Sequence, residues 1–207
     1  MAPVFLIGGG RDDDAVRASH AGFVRAVGAA PIAAIVLDEG ADTDPDRWTD
    51  ALRLAGAGGV YVAGGWTPGY ADALGDAADW LPPDVPYAGY SAGAAIAATD
   101  AIVGGFRRAD GRPVCAEEAG EDLEALTVRR GLGLVPFAVD VHATQWGTLT
   151  RLVHAVDARL VAEGVAIDEG TALVVDGAGA RPRVEGLGSA YRVAREGARV
   201  TVTVMSA

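Results

Sequence analysis

The feature that most constrains this chain is a rhythm in its N-terminal half. Short apolar runs stop at small-residue turns, and helix-compatible segments separate them. Pro3 to Ile7 runs into Gly8-Gly9-Gly10, Ile32 to Leu37 is a second run, Val60 to Ala63 ends in Gly64-Gly65, and Pro86 to Gly89 leads to Ser91. Continuous apolar runs of this length read as strands buried on both faces, which is the habit of parallel sheets. Between them, Asp14 to Val27 places Val16, Phe23, Val24 and Val27 on one helical face. Pro45 to Leu54 and Thr67 to Ala78 read as further helices. Strand–helix alternation predicts a parallel sheet covered by helices.

The second half reads differently. Ala92 to Ala98 is helix-compatible, and a loop-rich region with Arg107, Arg108, Asp110 and Gly111 follows. Phe137 to Val141 is a strand that ends at His142, and Leu149 to Val161 is an amphipathic helix. Short strands at Val165–Ile167, Ala172–Val175, Arg183–Leu187, Ala190–Val193 and Val200–Val204 are separated by glycine-rich turns, and read as antiparallel additions at one end of the sheet. The predicted class is α/β, with a mostly parallel central sheet flanked by helices and short antiparallel strands at the C-terminal end. A length of 207 residues without internal repeat or linker suits one domain over 1–207.

Composition excludes several functions. The net charge is −11, and all 17 basic residues are arginine, without a basic stripe. That argues against nucleic-acid binding. Three histidines and one cysteine form no metal-ligand spacing, so no metal and no cofactor are expected. The lone Cys115 allows no internal disulfide. "MAPVFLIGGG" is too short to span a membrane and lacks the basic region of a signal peptide, so a soluble cytoplasmic protein is expected. "LIGGGRDDD" lacks the G-x-G-x-x-G spacing of a dinucleotide loop, and its acids would repel a pyrophosphate. Asp12–Asp14 instead suit a helix start.

The stretch "GYSAGAAIAA" carries the chemistry. Gly89-Tyr90-Ser91-Ala92-Gly93 follows a strand and opens a small-residue helix, the setting in which Gly-x-Ser-x-Gly presents a nucleophilic serine. The two glycines remove side chains where a sharp turn brings backbone segments together. The Ala92 N–H would lie ready for an oxyanion, with a second donor from Gly64 or Gly65. A serine needs a base. His20 lies on the first helix and His154 within "LTRLVHAVDARL", whereas His142 ends a strand at the edge where Ser91 should sit. The acid that orients it could be Glu169 or Asp168 in "GVAIDEGTALVV", or Asp140, which shares a face with His142 if the strand continues that far.

These stretches resemble the dipeptidase E and cyanophycinase family of serine peptidases, which have a class I glutamine amidotransferase-like fold. "VFLIGGG", "VYVAGGW", "GYSAGAAIA" and "VDVHATQWGTLTRL…GVAIDEGTALVV" occur in the family's order, and "GLGSAYRV" is similar to a cyanophycinase end. The resemblance implies Ser91 as nucleophile, His142 as base, Glu169 as acid, and an oxyanion hole from the Gly65 and Ala92 amides. A carboxylate on a separate strand end also reaches the far imidazole nitrogen more easily than Asp140 does. The chain departs from the pattern at Trp66-Thr67, where the family commonly has Asn, and in "QWGTLTRL", where cyanophycinases tend to "QRGRLGRL". Gln145 and Arg151 are retained. This implies a substrate pocket touched by Trp66, Gln145 and Arg151, less suited to acidic groups, with Arg151 as the remaining carboxylate contact. The expected partner is a small peptide, and a homodimer is an oligomeric state to test.

Two other classes compete. An α/β-hydrolase esterase orders its residues serine, acid, histidine, but here the best acid follows the best histidine. A binding protein on the same fold with a vestigial Ser91 is the second alternative, because fold alone does not imply activity.

Overall fold

The computed structural model describes residues 2–37, 56–75, 80–177 and 181–207. The expected helix at Pro45 to Leu54 lies outside the described residues. The first strands follow the apolar runs: β1 (Val4–Ile7), β2 (Ile32–Ile35), β3 (Gly59–Val62) and β4 (Tyr87–Tyr90). They pair in parallel in the order β1-β4-β3-β2. Phe5, Leu6, Ile7, Val60 and Val62 are buried, as continuous apolar runs require.

Helix α1 (Asp13–Val27) begins where the acid run predicted. The Asp12 carboxylate accepts from the N–H groups of Asp14 and Ala15, while Asp13 and Asp14 complement the helix dipole. Its buried Ser19, Gly22, Phe23 and Val27 follow a helical period, and Phe23 packs edge-on against Phe5 with ring centroids 5.8 Å apart. Helix α2 (Thr67–Leu74) follows β3, and the single-turn helix α3 (Ala92–Ala95) follows β4.

The second half adds more than an edge. β5 (Asp100–Gly104) and β6 (Thr127–Arg130) form an antiparallel ribbon across the region that reads as loop in sequence. β7 (Ala138–Val141) does not join the main sheet. It pairs in parallel with β8 (Glu163–Ile167) across the crossover helix α4 (Thr148–Asp157). β9 (Thr171–Val175) returns antiparallel to β1, and β10 (Arg183–Gly186) extends that edge. β11 (Ser189–Glu196) and β12 (Arg199–Ser206) complete the second sheet, in the order β12-β11-β8-β7. The antiparallel strands are therefore divided between two sheets. The sheets meet where the His142 N–H, just beyond β7, donates to the Gly8 carbonyl just beyond β1, at 3.0 Å. No helix among the described residues is long and apolar enough to cross a membrane.

Candidate active site

Ser91 sits between β4 and α3 with φ 52° and ψ −111°, a strained conformation for a residue with a side chain. The neighbouring glycines make this turn sterically accessible. A Cβ at Gly89 would stand 2.3 Å from the Gly93 carbonyl oxygen, and one at Gly93 would stand 2.3 Å from that of Val62. No side chain fits at either position.

The three residues singled out by sequence come together. Ser91 Oγ lies 2.9 Å from His142 Nε2, and His142 Nδ1 lies 2.7 Å from Glu169 Oε1. The relay uses both ring nitrogens, so the imidazole can bond to serine on one side and carboxylate on the other. Trp146 stacks on the ring, with centroids 4.2 Å apart and planes 12° apart. The glycine turn after β1 also closes on the ring, where a Cβ at Gly9 would stand 2.2 Å from His142 Cε1. Burial holds the imidazole below the ordinary histidine value, against the pull of the Glu169 carboxylate. At neutral pH it is therefore uncharged and able to accept a proton.

Neither alternative acid is placed like Glu169. His142 has φ 56°, so the chain leaves the strand before it and the face it would have shared with Asp140 is lost. Asp140 is buried and takes a two-point ion pair from Arg151, with Nε–Oδ2 at 2.9 Å and Nη2–Oδ1 at 2.6 Å. Asp168 accepts from the Thr144 N–H and hydroxyl, the Ser189 N–H and the Tyr191 hydroxyl.

Arg151 corrects an expectation. It is 5% exposed, and its guanidinium points inward to Asp140 and the Ala119 carbonyl. It does not line the cleft beside Ser91. The reason lies in its helix, where Thr148, Arg151, Leu152, Ala155 and Val156 form the buried face. Gln145 also has a different surrounding from the one expected, because its side-chain oxygen accepts the Glu169 N–H at 3.0 Å and so anchors the loop that carries the carboxylate. Trp66 lies in an adjoining acidic depression, and its indole N–H donates to the Glu121 carbonyl.

The cleft over Ser91 has a volume of about 850 Å³, and its walls include Arg11, Gly64, Gly65, Tyr90, Glu121 and Trp146. It opens at the carboxyl ends of the parallel strands, the usual ligand side of an open α/β sheet. The Ala92 N–H, first in its helix, has no intrahelical acceptor. The Gly64-Gly65 turn lies against the serine, and a Cβ at Gly64 would be 3.2 Å from that of Ser91. The Gly8–Gly10 turn is the part of the site that sequence reasoning missed, and Trp146, which sequence reading places among the changes that shape the substrate pocket, instead stacks on His142. For the turn, a glycine triplet that matches no phosphate-binding spacing was the available signal.

Comparison with known proteins places the chain in a family. The model for peptidase family S51 matches residues 44–182, more than half of the chain. The chain belongs to peptidase family S51. This is the dipeptidase E and cyanophycinase family that the sequence stretches resemble. Among solved structures, one described as a peptidase from an acI-B1 Actinobacterium superposes with a TM-score of 0.64 at 16% identity, covering 100% of this chain and 96% of that one. At that identity the likeness speaks for the fold. No curated protein matches the sequence.

Proposed function

We propose that the protein is a serine peptidase that hydrolyses small peptides through a Ser91–His142–Glu169 triad and an acyl-enzyme. The observation that carries this reading is the continuous relay from Ser91 Oγ to His142 Nε2 at 2.9 Å and from His142 Nδ1 to Glu169 Oε1 at 2.7 Å. His142, uncharged near neutrality, takes the Ser91 proton as Oγ bonds to the scissile carbonyl carbon. The Gly65 and Ala92 amides receive the charge that develops on the carbonyl oxygen. The C–N bond then breaks, and the imidazolium gives its proton to the leaving amine. A water molecule attacks the ester, again losing a proton to His142, and the carboxylic product leaves as Oγ regains a proton. Glu169 holds the imidazole tautomer and stabilises the imidazolium. Trp146 keeps the ring in the plane of both hydrogen bonds.

Membership in a peptidase family supports the reaction class. The size of the cleft supports a short substrate. The test is hydrolysis of a mixed dipeptide and tripeptide library, followed by mass spectrometry. Ser91→Ala is expected to abolish cleavage while leaving the circular dichroism spectrum and Tm unchanged. Cleavage at the wild-type rate by Ser91→Ala would refute the nucleophile, and a wild-type chain that cleaves nothing would favour a binding protein.

A further inference from the structure

We propose that Arg11 is the carboxylate-binding residue of this cleft, holding the free C-terminus of the amino acid that leaves when the last peptide bond is cut. The proposal rests on the serine peptidase reading above and adds the direction in which the substrate lies. Arg11 is the one arginine among the described residues that line the cleft, whose walls also carry Glu118, Glu121 and Glu169. Glu169 is engaged by His142. Arg11 is exposed, and among the described residues its guanidinium makes no ion pair within 4.0 Å and no side-chain hydrogen bond. A planar group with five uncommitted donors suits a carboxylate, which it can grip at two points.

The order of the strands supplies the direction. Arg11 follows β1, Ser91 follows β4, and the Gly64-Gly65 turn follows β3, with β4 lying between the other two. Glu121 belongs to the β3 side, because its carboxylate accepts from the Thr67 N–H at 3.3 Å and the Thr67 hydroxyl at 3.0 Å. Arg11 and Glu121 therefore flank the serine on opposite sides. His142 stands on the Arg11 side, with its N–H on the Gly8 carbonyl at 3.0 Å and its ring against Gly9. The proton that His142 carries must reach the leaving nitrogen, so the leaving group lies at Nε2 and extends toward β1. A leaving group of one amino acid then brings its carboxylate toward Arg11. A carboxylate on the acyl side would meet Glu118 and Glu121 and be repelled. A longer leaving segment would present an uncharged amide to Arg11. The cleft thus selects a free C-terminus one residue beyond the cut.

The experiment compares a dipeptide library with the same library amidated at its C-termini, using wild type, Arg11→Ala and Arg11→Lys, with a fluorophosphonate labelling rate for each. Wild type is expected to prefer the free acids. Arg11→Ala should lose roughly tenfold to a hundredfold in kcat/KM on the free acids, mostly through KM, and change little on the amides. Arg11→Lys should recover part of the loss, and labelling, whose probe has no carboxylate, should be unchanged in both variants. Equal effects of Arg11→Ala on acids and amides, or no effect on either, would overturn the carboxylate contact while labelling still upholds the nucleophile. A wild-type chain that does not label would overturn the peptidase reading and the contact with it.

Discussion

Asp140 and His142, two residues apart at the end of β7, each meet a partner of opposite charge type, yet the pairs have different surroundings. The Asp140 carboxylate and the Arg151 guanidinium are 1% and 6% exposed and grip each other at two points. The His142 ring and the Glu169 carboxylate are 11% and 29% exposed, share a single hydrogen bond, and open to the cleft. In the first pair burial works against the charge of Arg151, but Asp140 outweighs it and keeps the guanidinium charged at every accessible pH. In the second pair burial wins, and the imidazole is neutral near pH 7. An ion pair sealed from water fixes strand β7 to helix α4, while a histidine–carboxylate pair that opens to the cleft can take up and release a proton. The turn at His142, with φ 56°, separates them by swinging the histidine off the strand face.

The largest difference between the pairs is expected in turnover. Glu169→Gln should lose roughly 10⁴-fold, because the imidazole loses its anchor and the counter-charge of its protonated form. Asp140→Asn, compared per molecule of folded enzyme, should stay within about tenfold of wild type, since it touches catalysis only through the placement of β7. Steady-state kinetics corrected by active-site titration decides this. A crippled Asp140→Asn beside a near-normal Glu169→Gln would reverse the assignment.

Stability should show the opposite ranking. Arg151→Ala leaves a buried carboxylate without its partner and should cost about 3–5 kcal/mol. Glu169→Gln should cost no more than about 1 kcal/mol, as its side chain meets water. Urea unfolding followed by circular dichroism measures both. Replacing both buried charges, Asp140→Leu with Arg151→Met, should restore much of the Arg151→Ala loss. If the double replacement is no better than Arg151→Ala, the penalty is lost packing and not an unpaired charge.

A smaller effect separates the pairs by pH. The base form of His142 is needed for catalysis, so kcat/KM should fall as pH drops through a midpoint below the usual value of about 6.5. The same depression makes the unfolded chain bind protons first. Stability contributed by His142 is then complete above the unfolded value and lost as pH falls toward the folded one. Burial of His20 adds in the same direction. A pH–rate profile with its acid limb above 6.5 would contradict the burial argument.

How legible these features were in the sequence depends on their range. The serine turn is local, because Gly89 and Gly93 flank Ser91 and a strand leads into it, so spacing together with its strand-to-helix setting was enough to find it. His142 was found because it closes an apolar run. The buried pair was not found, although a signal existed. Arg151 falls at helical spacing from Thr148 and Ala155, on the buried face of its helix, and a charge on such a face calls for a buried partner. Its opposite number, Asp140, interrupts the otherwise apolar run of β7. The second sheet was not legible, because short apolar strands do not state which neighbour they pair with. β7 and β8 fit the main sheet equally well by pattern, and their pairing in a second sheet is set by tertiary packing.

The central claim, that Ser91 is a nucleophile activated by His142, is tested most directly by fluorophosphonate labelling with peptide mapping. The account predicts one adduct per chain, on the peptide that contains Ser91, formed at a rate that falls sharply in His142→Ala and is absent in Ser91→Ala. An adduct on another residue, or unchanged labelling in Ser91→Ala, would contradict it.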